Sequence, residues 1–297
     1  MKEIFKKWYN EILIHRWELG FIENPIYDII EGKEFQIKYV KFPFERRWYA
    51  DPFILEYNDE EIVLLVEDFS DTDQNGKISK LVIDRKTMVL KDVKIILELD
   101  THLSFPIIIR KEDKIYIYPE NSAAHTLDLY EYDRESDECI KIRHLSSESL
   151  ADAVISDVLG KKMLFATKDN GNVLDIYQYD EANGSFVFSS NVVFNENIAR
   201  NAGDFFECDR QLYRASQECN FTYGHALSIQ RISKDGDVIK MEEVRRIMPP
   251  KHAIGIHTLN VYKDLTVVDI KVFRHPWIAL PLFKIRNLFK KKGTDVS

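Results

Sequence analysis

LDLYEYD at residues 127–133 and LDIYQYD at residues 174–180 are near-identical heptapeptides that begin 47 residues apart. Each follows an apolar stretch that ends in a polar residue, and stretches of this kind recur along the chain. Their polar ends are Glu67, Glu120, Lys168, Gln217 and Asp269. These five positions are separated by 53, 48, 49 and 52 residues. The chain is therefore built from five units of about 50 residues each.

A second polar position starts another apolar stretch 16, 16, 16, 13 and 12 residues before these ends. The five starting positions are Asp51, Ser104, Asp152, Asp204 and His257. Units of this length with several short strands are typical of β-propellers. The sequence predicts an all-β, five-bladed propeller. We expect the five starting positions to lie on the innermost strands and to converge on one central funnel.

The fifth unit is too short to form a complete blade. Between His257 and Phe273 there is room for about two strands, so the stretches 17–22 and 35–42 are expected to supply the others. Such pairing joins the first and last blades and leaves no large open sheet edge. The predicted organisation is an arm or helix at 1–12, a propeller at 13–273 and a tail at 274–297.

Composition restricts the classes of function. The chain has 297 residues and a net charge of −8, which argues against nucleic acid as a partner. Its three cysteines show no metal-ligand spacing and are expected to be reduced thiols. The N-terminus shows no secretory signal, and no stretch is long enough to span a bilayer. We therefore expect a cytoplasmic protein that requires no cofactor and whose oligomeric state stays open.

The tail combines apolar, aromatic and basic residues. It reads RHPWIALPLFKIRNLFKKKGTDVS from residue 274, and a helix is expected to begin at Pro281. Cations around one apolar helical face suit a membrane surface, so residues 277–292 are a candidate anchor on the inner face of the cell membrane. The alternative is a helix that packs on the propeller and has a solvated basic end.

The funnel is predicted to gather several carboxylates, whose mutual repulsion is unfavourable unless a ligand, a metal or cations compensate it. Arg200, Arg214, His102 and Lys168 are the candidate cations. Metal-ligand patterns with closely spaced histidines or cysteines are absent from the sequence. A metal site could rest only on the carboxylates, and none is predicted.

Several motifs in order resemble a known family. They are WYADPF at 48–53, HLSFP at 102–106, YPE at 118–120, RNAGDFF at 200–206, RASQECNFTYG at 214–224 and GIHTL at 255–259. Together they resemble the propeller domain of the glucosamine inositolphosphorylceramide transferase N-terminal family. The resemblance covers residues from about 45 to about 270. Bacterial relatives in that family tend to belong to surface-polysaccharide pathways.

The fold of that family is similar to glycoside hydrolase family 43. Those hydrolases carry a catalytic base in an Ala-Asp-Pro motif of the first blade, which Asp51 matches. They also use an aspartate in blade three, where Asp152 stands, and a glutamic acid in blade four. Asp204 occupies that last position in the sequence, a departure that weakens a plain hydrolase interpretation.

The resemblance implies a carbohydrate-active enzyme of surface polysaccharide or glycolipid biosynthesis, with a sugar donor and a glycan or glycolipid acceptor as partners. Glycosyl transfer is favoured, with Asp51 as general base and the arginines binding a phosphate leaving group. A hydrolase resembling family 43 and a non-catalytic carbohydrate-binding or scaffold propeller remain alternatives. The catalytic candidates are Asp51, Glu120, Asp152 and Asp204. The substrate-binding candidates are His102, Ser104, Lys168, Arg200, Arg214, Gln217, Tyr223 and His257.

Overall fold

The computed structural model describes residues 13–44, 46–158, 160–169, 171–236 and 238–283. Five four-stranded antiparallel sheets are arranged as the blades of a propeller, which confirms the predicted fold class. The strands of blade one are β3 (Arg47–Tyr57), β4 (Glu61–Ser70), β5 (Lys77–Asp84) and β6 (Leu90–Leu97). Those of blade two are β7 (Ser104–Lys111), β8 (Lys114–Glu120), β9 (Leu127–Asp133) and β10 (Glu138–Ser146).

Blades three and four follow the same order. Blade three contains β11 (Ala151–Val158), β12 (Lys161–Thr167), β13 (Val173–Asp180) and β14 (Ser185–Val193). Blade four contains β15 (Phe206–Cys208), β16 (Gln211–Glu218), β17 (Ala226–Asp235) and β18 (Val238–Ile247). Two short helical segments lie between strands, α1 (Ile26–Ile30) and a 3-10 helix (Ser122–Ala124).

The fifth blade is composite and closes the ring. It consists of β19 (Gly255–Tyr262), β20 (Leu265–Phe273), β1 (His15–Ile22) and β2 (Lys38–Tyr39), in that order. The pairing of β1 with β20 runs from His15 opposite Phe273 to Ile22 opposite Thr266. This confirms the predicted closure by N-terminal strands. The second of them is shorter than the predicted stretch 35–42.

The two heptapeptides form the third strands of blades two and three, β9 and β13. Their last residues start the next hairpin turn. Oδ1 of Asp133 accepts hydrogen bonds from the amides of Glu135 and Ser136, and Oδ1 of Asp180 accepts one from Ala182. An aspartate that bonds the backbone two residues ahead is an ordinary turn former. The repeat therefore encodes a strand together with the turn that ends it.

A bulge recurs near the start of four inner strands. Ala50 pairs with Glu67 and Phe53 with Leu65, so Asp51 and Pro52 lie opposite one residue of β4. The same register shift occurs in β7, β11 and β19. It makes Asp51, Phe105, Asp152 and His257 structurally equivalent. In blade two Ser104 begins β7 as predicted, but it pairs with Glu120 as Ala50 pairs with Glu67, so the residue equivalent to Asp51 is Phe105.

Blade four departs from this pattern. Asn201 forms an isolated bridge with Ser216, and β15 begins only at Phe206. The intervening segment lies against β19, where the carbonyl of Ala202 accepts a hydrogen bond from the amide of Leu259. A β-carbon at Gly203 would lie 2.1 Å from the carbonyl oxygen of Leu259, so the close approach requires glycine. Asp204 consequently lies before the inner strand and not at its start.

The described part of the tail is a helix at residues 276–283. It begins at Pro276, not at Pro281, since the amide of Ala279 already donates to the carbonyl of His275. Proline fits the first helical position, where no amide hydrogen bond is required. Ala279 is fully buried, and Leu280, Leu282 and Phe283 pack against Phe273. Trp277 is 92% exposed. Across the described residues no helix is long and apolar enough to cross a membrane. The predicted arm at 1–12 and the tail beyond residue 283 lie outside the described residues.

Candidate functional site

Asp51 lies at the centre of the ring and is held by three blades. Its Oδ1 accepts a hydrogen bond from Oγ1 of Thr258 at 2.7 Å, and its Oδ2 accepts one from the amide of Phe105 at 3.2 Å. Its own amide donates to Oδ2 of Asp269 at 3.0 Å. The bulge makes this geometry possible, because it turns the Asp51 backbone to a φ of +47°. The side chain is buried at the axis.

His257 lies between two carboxylates. Nδ1 is 2.7 Å from Oδ1 of Asp269, and Nε2 is 3.5 Å from Oδ1 of Asp51. Asp269 also accepts from the amide of Thr258 at 2.9 Å. Trp17, from the closing strand β1, stacks on the imidazole with ring centroids 3.8 Å apart. Asp269 and Trp17 thus fix the orientation of the imidazole beside Asp51.

Asp152, Arg200 and Glu120 form a second cluster, contributed by blades three, four and two. Nε of Arg200 lies 2.5 Å from Oδ2 of Asp152, and its Nη2 lies 3.4 Å from Oε2 of Glu120. Nε2 of Gln217 donates to Oδ2 of Asp152 at 2.7 Å. Glu120 also accepts from the amide of Asp152 at 2.8 Å. Two donors on one oxygen favour the ionised form of Asp152.

Tyr223 connects the two clusters. Its ring meets the His257 imidazole edge-on at 5.4 Å, and the guanidinium of Arg200 lies 5.3 Å from its centroid. Nζ of Lys271 lies 5.7 Å from the same centroid and 5.3 Å from the Trp17 ring. Lys271 is buried and, within the described part of the chain, makes no ion pair. Two cations therefore flank one tyrosine ring beside Asp51.

The protonation states follow from burial and charge. Burial raises the pKa of Asp51 to about 7, with the charges of Glu67 and Asp269 adding to the rise and His257 opposing it. Burial also raises the pKa of Asp152 well above its usual value, with Arg200 acting against it. Burial lowers the pKa of Lys271. Burial would lower the pKa of His257, but Asp269 and Asp51 raise it overall. Asp51 can therefore exchange a proton near neutral pH.

Among the residues that the structure describes, one set could hold a cation. Ligand atoms of Asp51, His257 and Asp269 all lie within 4.8 Å of one another, and all three residues are buried. Oxygen and imidazole ligands suit several divalent metals. The two ring nitrogens of His257 also contact the carboxylates of Asp269 and Asp51 directly. These contacts satisfy the polar atoms of the cluster and connect them as a path for proton transfer.

Three predicted site residues lie elsewhere. Asp204 is near Arg110, with its amide bonded to Asn260, and burial raises its pKa to about 7. Lys168 is an exposed residue that pairs with Glu148 at 2.8 Å. Arg214 is fully buried and donates to the carbonyl of Ala199 at 2.5 Å. The prediction that Arg214 binds a phosphate does not fit this position, because its guanidinium is buried and donates to backbone carbonyls.

His102 and Ser104 lie next to Glu67 and Glu120, respectively. Nε2 of His102 is 3.2 Å from Oε1 of Glu67, and this hydrogen bond raises the pKa of His102. The His102 side chain is 41% exposed, so it lies on the solvent side of the buried cluster. Ser104 is buried opposite Glu120.

The sequence reasoning missed Trp17, Thr258 and Lys271. Asp269 and Lys271 are two residues apart on β20, and that spacing places both side chains on one face of a strand. This signal was present in the sequence. Trp17 gives no comparable signal, because only ring closure brings it to His257.

Residues 36–260 match the family described as glucosamine inositolphosphorylceramide transferase 1, N-terminal. The chain belongs to this family. Glucosamine inositolphosphorylceramide transferase 1 of Arabidopsis thaliana is 27% identical over 212 residues, which are 68% of this chain and 27% of that protein. The protein of the same name from Oryza sativa subsp. japonica is 27% identical over 143 residues, 45% of this chain and 19% of that protein. This family member thus spans about a quarter or less of the curated relatives it matches.

Solved structures share the fold of this family member. RS223 β-xylosidase superposes with a TM-score of 0.51 at 13% identity and covers 71% of this chain and 80% of its own. The GH43_1 enzyme from Xanthomonas citri superposes with a TM-score of 0.51 at 9% identity and covers 76% of this chain and 87% of its own. The Bombyx mori GH32 β-fructofuranosidase BmSUC1 superposes with a TM-score of 0.51 at 12% identity and covers 71% of this chain and 54% of its own. At these identities the likeness shows the fold alone.

Proposed function

We propose that this propeller catalyses glycosyl transfer from a donor with a phosphate leaving group, in the assembly of a glycan or glycolipid. The observation that carries the proposal is the pair of cations, Arg200 and Lys271, on the Tyr223 ring beside Asp51. A leaving phosphate requires cations and not a protonated acid. The transferase names of the relatives support the same class of reaction.

In this mechanism Asp51 removes the proton from the acceptor hydroxyl. Its pKa of about 7 suits a general base at neutral pH. His257, held by Asp269, stabilises the Asp51 charge before transfer, and the transferred proton stays on Asp51. Asp152 and Glu120 act as positioning residues that hold Arg200. Lys271 supplies positive charge that no carboxylate of the described residues neutralises by an ion pair.

Hydrolysis is the second candidate, because Asp51 and Asp152 occupy the same bulge in blades one and three. In that reaction Asp51 would activate water, and Asp152, whose pKa burial raises, would donate the proton. The contact of Asp152 with Arg200 disfavours this role.

For glycosyl transfer, the proposal includes a location on the inner face of the cell membrane.

The two reactions can be separated with four proteins: the wild type, Asp51→Asn, Lys271→Met and Lys240→Met. Lys240 is a control on the surface, where it pairs with Asp235. Each protein is assayed with a panel of nucleotide sugars plus glycan acceptors and with aryl glycosides. We expect nucleoside diphosphate release by the wild type and a loss of about 10²–10⁴-fold in kcat for Asp51→Asn. kcat/KM should fall about tenfold per pH unit below about pH 7.

Lys271→Met should raise the KM for the donor about tenfold or more, the usual effect of losing one charge-assisted hydrogen bond. Lys240→Met should match the wild type. Cleavage of aryl glycosides that Lys271→Met leaves unchanged would favour the hydrolase. Glycan binding without turnover of either substrate class would favour the non-catalytic propeller.

A further inference from the structure

A cleft outside the central cluster lies between the segment that follows α1 and the end of β18. Its volume is about 580 Å³, within the range of small-molecule sites. One wall is residues 32–37 with Tyr39, and the other is Arg245 to Pro250 with His252 and Ile256. None of these lining residues belongs to the clusters around Asp51 and Asp152.

Arg245 is one of three charged residues that line the cleft, the others being Lys33 and Glu34. Its Nε is buried without a hydrogen-bond partner, and among the described residues Arg245 forms no ion pair. Oη of Tyr39, on the opposite wall, is also buried and lacks a partner. Buried polar atoms without partners are rare in proteins and indicate a missing ligand or solvent. Arg245 and Tyr39 both line the cleft, and each therefore has an unsatisfied polar atom just behind the cleft surface.

The backbone at Gly32 leaves room for the guanidinium. Its φ is +83°, and a β-carbon there would lie 3.0 Å from Nη1 of Arg245. A side chain at this position would be strained and would crowd the cation. Lys33 on the same wall already pairs with Asp28 at 2.7 Å, so Arg245 is the cation available to a ligand.

The remaining lining is mixed, with Glu34, Gln36 and His252 as its polar side chains beside an apolar part. Phe35, Ile37, Ile247, Pro250 and Ile256 contribute hydrocarbon surface, and Met248 is 55% exposed at the edge. A ligand that fits both parts needs an anionic group for Arg245 and an apolar portion for the rest. We propose that this cleft binds a small amphipathic anion, with a phosphate or carboxylate held by Arg245. This site is separate from the proposed active centre.

Calorimetric titration with octyl phosphate below its micelle concentration tests the proposal. Octyl glucoside carries the same alkyl chain without charge, and inorganic phosphate carries the charge without the chain. We expect octyl phosphate to bind the wild type at least tenfold more tightly than either. Equal binding of inorganic phosphate would reassign the cleft to a free anion and overturn the amphipathic ligand. Equal binding of octyl glucoside would overturn the role of the anionic group.

Variants locate the binding. Arg245→Gln should weaken octyl phosphate binding tenfold or more, and Arg245→Lys should retain part of it. Arg231→Gln is the matched control, because Arg231 is a half-exposed arginine paired with Glu242 outside the cleft. Unchanged melting temperatures show that the variants fold. Binding by Arg245→Gln at wild-type strength would overturn the proposal, whatever the glycosyl transfer assays show.

Discussion

Asp51 and Asp152 occupy a backbone conformation that non-glycine residues rarely adopt. Their φ values are +47° and +45°, and Phe105 shares the conformation at +48°. Each such residue costs on the order of 1 kcal/mol, and aspartate tolerates it better than a bulky side chain does. Strained backbone of this kind concentrates at functional sites. The two carboxylates therefore reach the axis at the expense of local stability.

A stability measurement isolates the Asp51 charge. Burial raises its pKa in the folded state from an ordinary 3.8 to about 7, so the folded protein favours the protonated form. The folded state is progressively destabilised as pH rises from about 4 to 7, because the unfolded chain ionises Asp51 first, and the full effect persists above 7. Asp51→Asn should therefore raise the free energy of unfolding more at pH 8 than at pH 5, by about 3 kcal/mol.

Urea denaturation at both pH values measures this difference. The amide can accept from Phe105 and donate to Thr258, whose hydroxyl can turn to accept. Asp157→Asn, at an exposed position, is the control and should show no such dependence. Equal gains at pH 5 and pH 8 would show that Asp51 is not a buried carboxyl with a raised pKa.

At the scale of elements, the C-terminal helix has two sides with different environments. Ala279 is buried against the propeller, whereas Trp277 and Ile278 on the other side are exposed. Exposed tryptophan near basic residues is typical of segments that contact membrane surfaces. Packing and membrane contact are therefore compatible in one helix, and membrane association stays a prediction.

Separate substitutions test the two sides of the helix. Trp277→Ala should reduce sedimentation with anionic vesicles and leave the melting temperature nearly unchanged, because this side chain contacts little protein. Ala279→Glu should lower the melting temperature, since it places a charge in a packed site. Phe221→Ala, at a half-exposed aromatic residue outside this helix, is the control for vesicle binding. Wild-type vesicle binding by Trp277→Ala would remove this helix as the contact surface.

At the scale of the whole molecule, closure depends on β1, which is far in sequence from its partner strand. Leu19 of β1 is fully buried and packs with Leu64, Val66 and Val267, which belong to blades one and five. The hydrophobic cluster therefore joins the start of the described chain to both sides of the seam. The candidate functional site depends on the same closure, because Trp17 of β1 stacks on His257.

Leu19→Ala should destabilise the propeller by about 2–5 kcal/mol, the usual effect of removing a buried leucine side chain. Val193→Ala, at a position 64% exposed, should change stability by less than about 0.5 kcal/mol. Chemical denaturation measures both. A small effect of Leu19→Ala would show that the seam contributes little to the stability of the ring.

The sequence by itself determined the number of blades, their strand content and the closure by N-terminal strands. These features are local, because a strand and its turn are encoded within a few residues and repeat with a fixed period. The position of Asp51 and Asp152 at the axis also followed from the repeat and the family resemblance.

Tertiary structure alone decided which side chains from different blades contact one another at the centre of the propeller. Arg200 meets Asp152 across 48 residues and Glu120 across 80, and Trp17 meets His257 only through closure. The bulge register replaced Ser104 with Phe105, and the contact of Ala202 with β19 displaced Asp204. Alternation along a strand gives the face of a side chain, but not its neighbours in the next blade. Those neighbours depend on register and packing between blades, which no single segment of the sequence contains.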